Sequence, residues 1–323
     1  MKSKVKIICT LGPSSINKKF LEFSKSNIDL LRLNMSHMKP NKLESTINFI
    51  RRFTKTPICI DTEGGQIRTK TKKKKFFKIN ENILINKNLK KNGFSLYPED
   101  IFFKMKKNDI LNIGFDDLLI KIIKVNKTFL KTKVLRSGIL ENNKGVHLQN
   151  RRIKMDFITK KDFEAIKIAK KNNIKYFALS FTSSVEDIKL FNNILSKDCK
   201  KIFKIETKKA VANFKEIISK ADNFLIDRGD LSKDITVVHI PKIQRKLMHI
   251  KKKFNNKKIF VATNLLESMI ENNYPTRGEA NDIYSSLEMG ANGLVLAAET
   301  AIGKNPISCV KFIKEMIINF NKK

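Results

Sequence analysis

Short apolar runs alternate along this chain with longer stretches in which apolar residues recur every three or four positions. The runs predict strands at Lys6 to Thr10, Asp29 to Leu33, Pro57 to Asp61, Tyr176 to Ser180, Ile202 to Ile205, Asn223 to Asp227, Lys258 to Ala262 and Gly293 to Ala297. The longer stretches predict helices at Lys18 to Ser26, Lys42 to Phe53, Lys160 to Asn172, Val185 to Leu195, Lys208 to Lys220, Lys242 to Phe254, Arg277 to Met289 and Pro306 to Phe320. Strand and helix in regular alternation is the pattern of a parallel α/β fold.

The alternation breaks once, after the third strand. From Thr69 to His147 the runs are short (Phe76 to Ile79, Ile83 to Ile85, Ile110 to Ile113, Leu118 to Val125, Thr128 to Val134) and separated by Asn, Gly and Lys, which predicts a small β domain at 69–147. Removing its 79 residues from the 323 leaves 244, close to the ~250 of an eight-fold barrel. The expectation is an α/β chain: a (β/α)8 TIM barrel made of 1–68 and 148–323, with a small β domain inserted after the third strand.

Composition narrows the function classes. No apolar run approaches the roughly 20 residues of a membrane span, and no signal-peptide pattern precedes Val5, so a soluble cytoplasmic protein without membrane partners is expected. The four cysteines, Cys9, Cys59, Cys199 and Cys309, are scattered without CxxC spacing, as reduced structural thiols would be. A net charge of +35 invites a nucleic-acid reading. Yet the excess is mostly lysine, spread along the chain together with Ile and Asn, while arginine, the usual base reader, is scarce. The dense run Lys70 to Lys75 reads as a solvated turn. Nucleic acid is therefore not the expected partner.

In a barrel, chemistry gathers where the strands end. Nearly every polar residue interrupting a predicted strand does so at its C-terminal end: Thr10, Arg32 and Asn34, Asp61 and Thr62, Ser180, Lys204 and Glu206, Arg228 and Asp230, Thr263, Glu299. Within Lys201 to Asp230, a βαβ unit would present Lys204, Glu206 and Asp230 together. Two readings of these three stand: a structural ion pair, or a site for a divalent metal and an anionic phosphate.

These residues also carry a resemblance. Cys9-Thr10-Leu11-Gly12-Pro13, Arg32-Leu33-Asn34-Met35-Ser36-His37, Asp61-Thr62, Gln66-Ile67-Arg68-Thr69, Lys144-Gly145-Val146, Lys204-Ile205-Glu206, Arg228-Gly229-Asp230-Leu231, Ala262-Thr263, Leu266-Glu267-Ser268-Met269, Pro275-Thr276-Arg277 and Glu299-Thr300-Ala301 resemble, in order, the motifs of the pyruvate kinase family. The resemblance implies phosphoryl transfer from phosphoenolpyruvate to ADP, giving pyruvate and ATP, the last step of glycolysis. It implies catalytic roles for Lys204, Thr263 and Arg32. Substrate would be bound by Arg32, Lys204, Gly229, Asp230 and Thr263, and nucleotide by Pro13, His37, Arg68 and Lys144. Glu206 and Asp230 would hold Mg2+ or Mn2+, and Asn34, Ser36, Asp61 and Thr62 would hold K+. On chemistry alone Arg32 could instead cap a strand against Asp61, the K+ set could form turns and caps, and His37 could be a packing residue.

The chain departs from the family pattern at several points. Glu63 stands for a lysine, Gly65 for a proline, Ser232 for a glycine, Ala297-Ala298 for Ser-Gly and Ile302 for a lysine. Gln66 stands where an acidic residue goes with K+ dependence and a lysine with independence, which leaves that requirement open. The sequence ends with the last barrel helix, so the family's C-terminal regulatory domain is expected to be absent, and homo-oligomers would form through the barrel. Two other classes share parts of this kit: a metal-dependent 2-oxo acid lyase or aldolase, and a catalytically impaired relative, including a basic nucleic-acid binder on the same barrel.

Overall fold

The computed structural model describes residues 4–90, 92–114, 118–151, 153 and 155–322. Eight strands form a closed barrel: β1 (Lys6–Thr10), β2 (Leu30–Asn34), β3 (Ile58–Asp61), β4 (Tyr176–Leu179), β5 (Lys200–Ile205), β6 (Asn223–Asp227), β7 (Lys258–Ala262) and β8 (Gly293–Leu296). Every strand pairs in parallel with its sequence neighbours, and β1 closes on β8 through Lys6–Gly293 to Cys9–Leu296. The strands lie within a residue or two of their predicted positions, because each is a nearly continuous buried apolar run, as strands covered on both faces must be.

Several of the helices begin at a side-chain cap. Asn17 accepts from Phe20 N, and Thr159, Ser184 and Thr276 form reciprocal capping boxes with Asp162, Asp187 and Glu279. The predicted helix Lys208 to Lys220 is two, Lys208–Ala212 and Phe214–Lys220, because Asn213 leaves helical geometry (φ −88°, ψ 3°) and its side chain donates to Ser183 O instead. Two short α-helices of the barrel lie outside the eight predicted ones. Arg228–Asp234 and Ala298–Ala301 start directly at strand ends, too short to show a period.

The barrel's main core lies between strands and helices, and a smaller cluster, including Ile8, Leu30, Cys59, Leu225 and Phe260, fills the barrel. Phe224 is fully buried in the main core, with Phe214 edge-on at 5.5 Å and Phe203 at 6.4 Å. Phe224→Ala should destabilise the fold by about 3–5 kcal/mol, read from urea unfolding.

Contacts divide the chain into two units, Met1–Gly64 with Phe157–Lys323, and Gly65–Asp156. The second unit is an antiparallel seven-stranded sheet in the order Asn82–Asn86, Phe129–Arg136, Leu118–Val125, Ile110–Ile113, Gly145–Leu148, Ile67–Lys70, Ser95–Tyr97. A two-stranded ribbon, Lys75–Phe77 with Gly138–Leu140, accompanies it. This is the inserted β domain that the sequence predicts, with its own core around Ile85, Phe94, Leu111 and Ile120. At the departures from the pattern, an added Cβ on Gly65 would lie 2.3 Å from Asp156 O, so no side chain fits there. Glu63 is buried against Lys161 at 2.6 Å. No helix among the described residues is long and apolar enough to cross a membrane.

Candidate active site

The ends of β2, β3, β5 and β6 bring their charged residues into one buried cluster. Lys204, 4% exposed, points its ammonium at Glu206 Oε1 (2.6 Å), Asp227 Oδ2 (3.3 Å) and Asp61 Oδ2 (3.5 Å), with Ser180 Oγ at 3.3 Å. Alternation along a strand puts Lys204 and Glu206 on one face, which brings both into this cluster. Arg32 is as deeply buried, with Nε 3.3 Å from Asp61 Oδ2. Its Nε and Nη1 make no hydrogen bond.

Burial works against the charge on Lys204, but Asp61, Glu206 and Asp227 outweigh it and hold the ammonium above the usual lysine range. Glu206 is raised to about 8: burial is the largest cause, Lys204 opposes it, and Asp227 and Asp230 add to the rise. Its other oxygen accepts from Phe181 N at 2.6 Å, where Phe181 holds a left-handed backbone at φ +57°.

Both ion pairs anticipated as purely structural alternatives are therefore present, and the charge balance decides what they leave over. Two cations, Arg32 and Lys204, face the carboxylates of Asp61, Glu206 and Asp227, and Asp230 adds a fourth beside its own partner Lys233 at 2.5 Å. Glu206, Asp227 and Asp230 each offer an oxygen within 4.8 Å of the others. A stabilising structural pair would be neutral; a buried excess of carboxylate oxygen suits a hard divalent cation. Arg32, with unfilled buried donors, suits an anion.

Asp227 is the residue that sequence reasoning missed. It ends β6 just before Arg-Gly-Asp, the same strand-end signal that singled out its neighbours. Ser180, quoted at the end of β4 but given no role, binds Thr62 twice: its amide donates to Thr62 Oγ1 at 3.0 Å and its hydroxyl to Thr62 O at 2.7 Å.

The other predicted residues fall as follows. Asn34 Oδ1 accepts from Ser36 N at 2.9 Å, in a turn tied to β3 by Met35 N donating to Asp61 O. Thr263 and Gly229 are in direct contact: Gly229 N donates to Thr263 Oγ1 at 2.8 Å. Pro13 and His37 stand exposed on the turns after β1 and β2. Arg68 and Lys144 lie on the inserted unit, where Arg68 Nη1 donates to Asn143 O at 3.0 Å and Lys144 pairs with Glu141 at 2.7 Å.

Residues 2–310 match the family model described as pyruvate kinase, barrel domain. The chain is 32% identical to the pyruvate kinase of Thermotoga maritima over 336 residues, covering 98% of this chain and 71% of that protein. It is 34% identical to the pyruvate kinase of Methanocaldococcus jannaschii over 322 residues, covering 98% and 69%. With plastidial pyruvate kinase 3 of Arabidopsis thaliana the identity is 29% over 322 residues, covering 95% and 56%.

Proposed function

This chain belongs to the pyruvate kinase family, and on that premise we propose that it transfers the phosphoryl group of phosphoenolpyruvate to ADP, giving pyruvate and ATP. The observation that carries the reading is the pairing of opposite deficits in one buried cluster. Four carboxylates face only three cations, Lys204, Arg32 and Lys233, beside an arginine whose buried Nε and Nη1 make no hydrogen bond. Phosphoryl transfer is mainly positioning and charge neutralisation, and it needs both.

Glu206, Asp227 and Asp230 would hold Mg2+ or Mn2+; bound there, the ion neutralises charge on the phosphoryl oxygens. Arg32 offers a guanidinium fork to the phosphate, and Lys204 places an ammonium against the transferring group and the enolate left behind. Asn34, Ser36, Asp61 and Thr62 would supply the oxygens for K+. Pro13, His37, Arg68 and Lys144 are the proposed nucleotide contacts.

The amides of Gly229 and Asp230 would take the substrate carboxylate. Since Gly229 N donates to the Thr263 hydroxyl, which itself donates to Ala262 O, an arriving carboxylate takes that amide and leaves the hydroxyl oxygen open to the proton path to the enolate carbon.

The test is a coupled pyruvate-forming assay on purified protein with phosphoenolpyruvate, ADP and Mg2+, with and without K+. Pyruvate formation that needs ADP is expected. A folded protein that forms none, or that releases pyruvate from oxaloacetate without ADP, would sink the reading. In the same assay Arg32→Met should lower kcat/KM for phosphoenolpyruvate by about 100-fold, the equivalent of roughly 3 kcal/mol for charged hydrogen bonds to a phosphate.

A further inference from the structure

Thr263 and Asn264 are, among the described residues, the only adjacent non-glycine pair with left-handed backbone, at φ +72° and +54°. For a β-branched threonine this conformation is unfavourable and persists only where its surroundings impose it. Two buried charged side chains grip the turn from either side. Arg228 donates from Nη2 (2.6 Å) and Nε (3.2 Å) to the carbonyl oxygen of Thr263. Glu299 accepts the next two amides, Leu265 N and Leu266 N, each at 3.2 Å.

Arg228 is itself fixed from behind. Its Nη1 donates to Asp282 Oδ2 at 2.6 Å and lies 3.5 Å from Gln244 Oε1. The guanidinium thus uses one edge on the Thr263 carbonyl and another on the helix Arg277–Glu288, a division that a planar fork permits and an ammonium does not. Arg228 faces away from the carboxylate cluster in its bonding: its named partners are Thr263, Gln244 and Asp282. Nothing in this pattern requires a charge in a merely well-packed turn.

The function proposed above supplies a need for it. The Thr263 hydroxyl accepts from Gly229 N and donates to Ala262 O, and a substrate carboxylate that takes the amide removes the first of these bonds. The bond that remains is to the carbonyl of the preceding residue, which moves with the same backbone, so the grip on the Thr263 carbonyl sets where the hydroxyl lies. We infer that Arg228, set by Asp282, is a positioning residue that holds Thr263 in its left-handed conformation so that the freed hydroxyl stays on the proton path. The inference rests on the pyruvate-forming reading for its consequence, and on the geometry of the turn alone for the grip.

The experiment compares wild type, Arg228→Lys and Asp282→Asn by three measurements: steady-state pyruvate formation, deuterium uptake at the methyl group of pyruvate in heavy water with Mg2+ and ATP, followed by NMR, and the crystal structure of each variant. Arg228→Lys is expected to lose at least tenfold in deuterium uptake, with less than a threefold change in KM for ADP and with Thr263 at negative φ. Asp282→Asn, which keeps the guanidinium and serves where Arg228→Lys does not fold, should lose several-fold in the same direction. Uptake within twofold of wild type in folded variants overturns the inference, as does a loss matched by an equal rise in KM for ADP. If wild type forms no pyruvate, the assigned reaction fails, and the crystal structures alone decide the grip: a left-handed Thr263 in both variants overturns it, and a relaxed Thr263 in either supports it.

Discussion

Lys204→Met should lower pyruvate formation by about three powers of ten. One ammonium about 4 Å from a unit negative charge, at an effective dielectric near 20, is worth roughly 4 kcal/mol, and 1.4 kcal/mol is about tenfold in rate. The same substitution should also weaken the metal-free fold. Lys204 is the shared counter-ion of Asp61, Glu206 and Asp227, and removing one member of a buried charge network costs about 3–5 kcal/mol because the remaining charges face each other unpaired. Asp61 retains Arg32, so the lower end of that range applies. Urea unfolding in a chelator, then with Mg2+ added, separates the two effects: Mg2+ should recover much of the lost stability and none of the lost activity. Activity within tenfold of wild type in a folded Lys204→Met protein would remove Lys204 from the mechanism.

The sequence carried the barrel well because burial on both faces leaves a strand no option but a continuous apolar run. Phe224-Leu225-Ile226 and Ile259-Phe260-Val261 announce themselves, and the polar residues that interrupt such runs mark the strand ends. The inserted sheet was less legible. Ile67–Lys70, Ser95–Tyr97, Gly138–Leu140 and Gly145–Leu148 are only three or four residues long, too short to show a period of their own. The strand-end pattern supplied Lys204, Glu206 and Asp230, but it could not say how many carboxylates would converge. Asp227 carries the same strand-end signal, but its place beside Lys204 follows from the register Phe203–Phe224 to Ile205–Ile226 that sets β6 against β5. The bonds among Arg228, Asp282 and Thr263 span 54 and 35 residues of sequence, and no local pattern encodes them. Left-handed backbone at a threonine is equally silent, since the residue type argues against it.

Glu206→Gln should separate a metal ligand from a structural ion pair, because the two roles predict opposite signs for stability. As a structural pair, Glu206 would stabilise Lys204, and its neutralisation would weaken the fold much as Lys204→Met does. In the observed cluster, however, carboxylates outnumber cations, and Lys204 keeps Asp61 and Asp227 when Glu206 becomes neutral. The glutamine oxygen can still accept Phe181 N, so the left-handed turn there retains its support. The metal-free variant is therefore expected to match wild type in urea unfolding within about 1 kcal/mol, or to exceed it, at neutral pH and above. Activity should move the other way. Loss of one of three carboxylate ligands weakens the hold on a divalent cation that is worth several kcal/mol to the transferring charge, so pyruvate formation should fall by about 100-fold or more at fixed Mg2+. Part of the rate should return as Mg2+ is raised. A Glu206→Gln protein that loses stability in chelator yet keeps wild-type activity and metal dependence would return Glu206 to the structural role, leaving Asp227 and Asp230 to account for any metal.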